Sequence, residues 1–304
     1  MRTYFLSDVH MGIRGQPAND FNEVKEELFL DLLQVIHKER DALVIAGDLI
    51  DSWAANPQEV IHAYLQLLRY LAVVIQANPL SCWIRGNHDP CNLSHDWVDR
   101  LRLGGSQVLE LGPGYKIWAE HGHAFDPSWQ RGAAIKAAAR ALYRLENLPR
   151  CAKIDEQLVA LLRRYQDWVR RRANKPKDNR LPYWGGAVER AKCFPDVRGV
   201  VFGHSHRHGK GLIRGDSYYG IPPGSVVCSF CGLRGAYATM GVEPNTRPVC
   251  AVCSWPTNPA LERETIYVNT GTWARDDHGR QCEDVTVYDS EAGSWWQGNV
   301  RELI

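Results

Sequence analysis

The sequence predicts an α/β protein, because short apolar runs typical of buried strands alternate with longer segments of helical periodicity, and each run ends at a polar cluster. The runs are rich in Val, Ile and Leu: TYFL before SDVH, ALVIAG before DLID, CWIRG before NHD, YKIWAE before HGH, and VRGVVFG before HSH. Ligands of α/β folds collect beyond the carboxyl ends of the strands. We therefore expect a binding or catalytic site where these clusters meet.

The first helical segment follows the first strand, over residues 22–40. Val24, Leu28, Leu32 and Val35 or Ile36 repeat there at helical spacing, with acidic residues early and basic residues late, as the helix dipole favours. A second helix is predicted from Asn56, the cap, and Pro57, in the first turn. Its buried stripe comprises Tyr64, Leu67, Leu68 and Leu71.

Composition excludes several classes of protein. The 304 residues are 44% hydrophobic and 23% charged, which is neither disordered nor collagen-like and is enough chain for one large core or two modest ones. No apolar run approaches the roughly 18–20 residues that a membrane span needs, and the first residues lack the apolar segment of a secretion signal. We expect a cytoplasmic chain without a transmembrane segment.

A basic segment divides the chain at residues 131–192. It contains 16 Lys and Arg against 6 Asp and Glu, a net charge of +10, whereas the other 242 residues carry −9. Residues 133–172 read as a helical hairpin broken at Leu148-Pro149, and residues 174–184 as a loop returning to the core. We interpret this segment as a basic helical cap, which is either a solvated face or a surface for nucleic acid or anionic lipid.

Arginines crowd one end of the second cap helix, where local acids are too few to pair them all. We take Arg164, Arg171 and Arg172 as candidate substrate-binding residues, because unpaired arginines bind phosphates.

The polar clusters carry metal-ligand chemistry. Asp8 and His10 are two residues apart at a strand end, so both project to one side. Further donors end four other strands: Asp48, Asn87, His121, His204 and His206. Singly, each could be a turn, a cap or a core residue. Together, seven oxygen and nitrogen donors are too many for one tetrahedral zinc and suit two cations that share a bridging carboxylate.

In this order, DVH, GD, GNHD, HGH and GHSH resemble the five signature blocks of the calcineurin-like metallophosphoesterase superfamily. The resemblance covers roughly residues 1–125 and 195–290, including YVNTGTW. It implies a four-layer α/β/β/α sandwich with a dimetal site along one edge. The core would comprise residues 1–130 and 193–304.

The resemblance also implies roles for individual residues. One cation would take Asp8, His10, Asp48 and His206, and the other Asp48, Asn87, His121 and His204, with Asp48 bridging. His88 would stabilise the transition state or protonate the leaving oxygen. Asp89 would orient His88 or serve as a turn or cap. Manganese or iron suits this donor set, and zinc is an alternative.

Within the superfamily, the helical insertion and the run HGHAFDPSW are most similar to the UDP-2,3-diacylglucosamine hydrolases of lipid A synthesis. The helical cap of those enzymes covers the site and admits acyl chains. This chain has His88 where the best-known members of that branch carry Arg.

Four cysteines form a second candidate metal site. Cys228, Cys231, Cys250 and Cys253 make two CxxC pairs separated by eighteen residues, which is the spacing of a structural zinc ribbon, although four unrelated buried thiols would also fit. The ribbon would be an insertion at residues 216–262 holding one zinc. Four thiolates leave no open coordination position, so this zinc would support folding or recognition.

Three functions are compatible with these features. The first is hydrolysis of a phosphodiester or pyrophosphate on a nucleotide-linked lipid, with peripheral contact to an anionic membrane. The second is a nuclease or nucleic-acid repair phosphodiesterase, which the basic cap and the ribbon favour. The third is a non-catalytic scaffold, which should lack metal ligands, whereas this chain has all seven and His88.

Overall fold

The computed structural model describes residues 1–16, 19–53, 55–90, 101, 104–126, 183–206, 208–214, 217–221, 265–274 and 281–304. Several predicted features lie outside these residues. They are the cap over residues 131–182 with Arg164, Arg171 and Arg172, and the ribbon cysteines Cys228, Cys231, Cys250 and Cys253.

The described part of the chain forms eleven strands and four α-helices, which confirms the predicted α/β class. The strands are β1 (Arg2–Leu6), β2 (Ala42–Ala46), β3 (Cys82–Ile84), β4 (Ser106–Gly112), β5 (Tyr115–Glu120), β6 (Val197–Phe202), β7 (His208–Arg214), β8 (Ser217–Ile221), β9 (Thr265–Thr270), β10 (Asp284–Asp289) and β11 (Ser294–Asn299). The helices are α1 (Glu23–Glu39), α2 (Pro57–Ala63), α3 (Leu65–Ala77) and α4 (Trp184–Cys193), with short 3₁₀ helices at His123–Phe125 and Val300–Glu302.

The strands assemble into a five-stranded sheet, in the order β11-β10-β1-β2-β3, and a six-stranded sheet, in the order β4-β5-β6-β9-β7-β8. The first sheet contains the parallel run β1-β2-β3, and the second contains the parallel run β5-β6-β9. Parallel strands end at a common edge of their sheet. Each of the five predicted strand-end clusters follows one of these parallel strands.

Among the described residues, buried side chains form three apolar clusters. One lies between α1, α3 and the first sheet, and includes Phe29, Leu71 and Ile45. The second joins the two sheets through residues such as Val44 and Val201. The third packs α4 onto the second sheet. The two sheets therefore share one core and hold their strand-end loops in fixed relation.

Helix α1 begins directly after Asn22, whose side chain caps the helix by accepting a hydrogen bond from the Lys25 backbone N–H. Its buried face differs from the predicted stripe, because Val24 is 53% exposed. Phe29 faces the core instead and packs edge-on against the Trp273 ring. Bulk and aromatic contact at Phe29 set the rotation of the helix.

The helix predicted from Asn56 is two helices. The backbone leaves helical geometry at Tyr64, between α2 and α3, which are bent by 84°. Tyr64 is buried there, and its hydroxyl donates a hydrogen bond to the Phe21 carbonyl. A tertiary contact thus breaks a continuous helical pattern.

Helix α4 occupies the end of the segment assigned to the cap. Ala187 is fully buried, and the α4 cluster includes Val200 and Tyr267 of the second sheet. The buried face of α4 thus packs against the second sheet.

Among the described residues, no single helix is both long and apolar enough to cross a membrane. Only α2 and α3 counted together, across their bend, reach that length and composition.

Candidate metal centre

The loops after the parallel strands bring all seven predicted ligands together. In the half nearer β5 and β6, His121 Nε2 lies 3.0 Å from Asp48 Oδ2 and 3.1 Å from Asn87 Oδ1. In the other half, His206 Nε2 lies 3.3 Å from Asp8 Oδ1, and His10 Nε2 lies 3.8 Å from the same oxygen. Two carboxylates thus lie within a ring of histidines.

Metal-ligating atoms of the described residues that lie within 4.8 Å of one another form three adjoining groups. They are Asp8, Asp48, His121 and His204; Asp8, His10 and His206; and His10, Asp51 and His88. Asp8 belongs to the first two groups, whereas the family resemblance gives the bridging role to Asp48. His10 Nε2 is 3.9 Å from Asp48 Oδ2, so Asp48 also faces both halves.

Five of the seven side chains extend from residues with left-handed backbone conformation. Their φ angles lie between 52° and 62°, at Asp8, His10, Asp48, His204 and His206. Such conformations are uncommon for residues other than glycine, cost on the order of 1–3 kcal/mol each, and cluster at functional sites. The sharp turns aim successive side chains at one point.

Two glycines permit this close packing. Gly47 has φ +95°, and a Cβ there would lie 2.3 Å from the His121 ring. A Cβ on Gly86 would lie 2.1 Å from Asp48 Oδ1. The GD and GNHD runs therefore require glycine because ligand side chains fill the space beside the backbone.

The donor set fits divalent cations. Asp8 Oδ1 and His10 Nε2 are buried and, within the part of the chain that the structure describes, make no hydrogen bond, although His206 Nε2 lies 3.3 Å from Asp8 Oδ1. A buried polar atom without a partner carries a free-energy cost, and coordination to a cation would remove it. Mixed carboxylate, amide and imidazole donors suit first-row divalent metals.

The electrostatics of the cluster favour ionised carboxylates. Burial alone would raise the pKa of Asp8, but His206 and His121 hold it well below its usual range. Burial alone would also raise the pKa of Asp48, but His121 and His88 lower it well below its usual value. Burial would lower the pKa of His121, but Asp48 outweighs it and raises that pKa to about 10.

His10 and His121 therefore differ in protonation. Burial, reinforced by the neighbouring His88, lowers the pKa of His10 to about 4, which leaves its imidazole neutral with a lone pair for coordination. The raised pKa of His121 places a proton between His121 and Asp48. A cation binding there must displace that proton.

His88 lies beside this cluster in a fixed orientation. Its Nδ1 is 2.9 Å from Asp51 Oδ1, and its ring stacks on the Trp53 ring at 4.2 Å between centroids. Its backbone N–H donates to Asp48 Oδ1 at 2.8 Å. Burial would lower the pKa of His88, but Asp48 and Asp51 outweigh it and raise the pKa. This ring is placed to hold and release a proton.

Asp89 binds the loops that carry the ligands. Its carboxylate accepts hydrogen bonds from four N–H groups: the backbone of Asp48, Ile50 and Gly86 and the indole of Trp83. The contact with the His88 ring comes from Asp51, which sequence reasoning missed. The sequence feature that could have indicated Asp51 is its position as the second acidic residue of GDLID, three residues after Asp48.

The late YVNTGTW run supports Asp8 from the second sheet. The Ser7 hydroxyl bonds to the Asp8 carboxylate and to Thr270 Oγ1. Thr272 Oγ1 donates to the Asp8 carbonyl at 3.2 Å. The run thus fixes the first ligand without supplying one of the seven.

A model of calcineurin-like phosphoesterases matches residues 1–208, which include all the ligand-bearing loops. The chain belongs to the calcineurin-like phosphoesterase family. Membership confirms the superfamily resemblance and establishes a metallophosphoesterase. No curated protein matches the chain significantly.

Several solved structures are similar to this family member at low identity. A metallophosphoesterase from Sphaerobacter thermophilus is 13% identical, with 98% of this chain and 89% of the other covered and a TM-score of 0.41. A predicted phosphoesterase from Streptococcus pneumoniae is 12% identical, with 94% and 80% covered and a TM-score of 0.33. Vacuolar protein sorting 29 from Cryptosporidium parvum is 13% identical, with 98% and 95% covered and a TM-score of 0.36.

Proposed function

We propose that this metallophosphoesterase hydrolyses phosphodiester or pyrophosphate bonds with two divalent cations held by the strand-end cluster. The observation that carries the proposal is the convergence of two buried carboxylates with imidazoles whose ligand atoms lie within 4.8 Å. Bound cations would supply an activated water and neutralise phosphoryl oxygens. One cation would be held by Asp8, His10, Asp48 and His206, and the other by Asp48, Asn87, His121 and His204.

In this proposal His88 acts as the proton donor. Hydrolysis of a phosphoester releases an oxygen that must be protonated, and His88 would transfer its proton to that oxygen. The Asp51 carboxylate orients the His88 ring and favours its protonated form, and the Trp53 ring limits its rotation. Asp89 acts indirectly, because it fixes the backbone of Asp48 and Gly86.

For the substrate, we propose a nucleotide-linked lipid such as UDP-2,3-diacylglucosamine. The HGHAFDPSW run and the +10 segment at residues 131–192 support this class. Arg164, Arg171 and Arg172 would bind its phosphates, and the cap would touch anionic membrane from the cytoplasmic side. The family's four-layer sandwich is part of the proposal, supported by apolar clusters on both outer sheet faces.

A nuclease or nucleic-acid repair phosphodiesterase is the second candidate. It is favoured by the two CxxC pairs, which would bind a structural zinc through Cys228, Cys231, Cys250 and Cys253, and by the basic segment.

A substrate panel with the manganese-loaded enzyme separates the two candidates. We expect turnover of bis-p-nitrophenyl phosphate, and turnover of UDP-diacylglucosamine that depends on acyl-chain length. Single-stranded DNA should be a poor substrate. Efficient DNA cleavage with a Michaelis constant rising steeply with salt would favour the nuclease, because each phosphate contact releases counterions. No hydrolysis of any ester or pyrophosphate would contradict the proposed activity.

A further inference from the structure

Asp126 is a buried carboxylate outside the seven ligands whose side chain contacts the ring of a ligand. Asp126 Oδ2 lies 3.1 Å from His204 Nε2. Asp126 is 3% exposed, and the two residues are 78 positions apart in the chain. This contact is therefore a product of the fold.

The contact determines which His204 nitrogen is free. An ionised carboxylate only accepts hydrogen bonds, so Nε2 of His204 must carry the hydrogen. A neutral imidazole has one hydrogen, which leaves the lone pair on Nδ1. Nδ1 is then the nitrogen available to a cation.

Local packing holds Asp126 in place. It follows the 3₁₀ helix His123–Phe125, and its backbone N–H donates to the His123 carbonyl. The preceding Phe125 stacks on Phe202 at 5.4 Å between ring centroids, and a Cβ on Gly186 would lie 2.3 Å from the Phe125 ring. Rigid packing beside the carboxylate is what a positioning residue needs.

We propose that Asp126 is a positioning residue that fixes His204 in the Nε2–H tautomer and thereby sets the affinity of the cation bound by Asp48, His121 and His204. The inference rests on the proposed dimetal function. It assigns a role to Asp126, the last residue of the HGHAFD run, which is not one of the seven ligands. Carboxylates behind a ligating histidine typically change metal affinity about 10–100-fold when they are mutated.

The first test measures cation binding. Asp126→Ala should weaken one of the two Mn²⁺ sites about 10–100-fold in equilibrium dialysis with elemental analysis, and leave the other unchanged. Asp126→Asn retains an acceptor oxygen and should lose less. The matched control is Glu120→Gln, which removes the carboxylate at the end of β5 that pairs with Arg190 of α4 at 2.9 Å. It should bind both cations as the wild type does.

The second test measures the tautomer without metal or substrate. Long-range ¹H–¹⁵N spectra of the metal-free wild type at pH 8 should show His204 with its hydrogen on Nε2, and Asp126→Ala should show a mixture. A wild-type Nδ1–H tautomer would overturn the inference even if the alanine variant failed to fold. Unchanged Mn²⁺ affinity in a folded Asp126→Ala variant would overturn it as well. A wild type that binds fewer than two Mn²⁺ ions would instead overturn the proposed dimetal function.

Discussion

The ligands that the two sheets contribute to the metal centre are held by different contacts. Ligands from the first sheet are joined by backbone hydrogen bonds between the loops after β1 and β2: Asp8 N–H donates to the Gly47 carbonyl, and His10 N–H to the Asp48 carbonyl. Histidines from the second sheet are held by contacts that cross to the first. His121 Nδ1 donates to the Ala46 carbonyl, and the His204 backbone N–H to Asp8 Oδ2.

The difference means that the first sheet is the template for the site. Backbone hydrogen bonds join the first-sheet loops to one another, and Gly203 N–H donates to the His121 carbonyl between the second-sheet loops. The second-sheet histidines depend in addition on contacts with the first sheet, and His204 on Asp126. Substituting Asp48, the first-sheet carboxylate that both cations would share, should therefore disturb both cations. A change at a second-sheet histidine should disturb one.

The largest expected effect follows from substituting the central carboxylate. Asp48→Asn should lower turnover of bis-p-nitrophenyl phosphate at least ~10³-fold, because a cation contributes several kcal/mol of charge stabilisation. Both cations should be lost on elemental analysis. The second-sheet control is His206→Ala, which should lose one. Retention of both cations by the Asp48 variant would contradict the distinction between the ligands of the first sheet and those of the second.

A substitution at His88, in the first-sheet loop after β3, separates the effect on catalysis from the effect on metal binding. His88→Ala should lower turnover ~10²–10⁴-fold while both cations remain, the range expected on losing a positioned acid. Asp51→Asn should cost less, because the His88 ring itself remains. The Asp51 carboxylate also lies 3.8 Å from His10 Nδ1. Steady-state kinetics and metal analysis on the same samples test this. Metal content that falls with rate would show that His88 is a ligand.

Asp89 tests whether the first-sheet loops are rigid because of their hydrogen bonds. Asp89→Asn should lower the free energy of unfolding by about 2–3 kcal/mol, since an amide N–H₂ would face buried donors. Urea denaturation of the metal-free protein measures it. Asp196→Asn, which disrupts an exposed ion pair with Lys116, is the control and should stay within about 0.5 kcal/mol. Equal effects would mean that the Asp89 hydrogen bonds are not what holds the loops.

The smallest expected effect lies between the sheets, away from the ligand loops. Lys210 is 5% exposed and donates to the Trp295 carbonyl, and burial lowers its pKa to about 8. The unfolded chain, with a pKa near 10.4, binds more protons between those values, so the free energy of unfolding rises with pH in that window.

Lys210→Met removes this burial cost. The variant should be more stable than the wild type by about 1–3 kcal/mol at pH 7, and the gap should narrow by pH 10. Urea denaturation at both pH values measures the gap, and the number of bound cations should not change. A gap that widens with pH would contradict the buried-lysine account.

Much of the site was accessible from sequence because each ligand follows an apolar strand at short, regular spacing. The local sequence pattern alone predicts Asp8 and His10, and likewise His204 and His206, as ligands. Tertiary contacts could not be predicted in this way. The Asp126–His204 contact and the helix break at Tyr64 depend on packing between distant segments. The five left-handed backbone conformations likewise have no local sequence signal beyond the adjacent glycines.

The most direct test of the central claim is metal content measured together with activity. After exhaustive chelation, the wild type should retain only the zinc proposed for the four cysteines and should not hydrolyse bis-p-nitrophenyl phosphate. Added manganese should restore activity as two ions bind per chain. Full activity in a chelated sample whose dimetal site is confirmed to be empty would contradict the account.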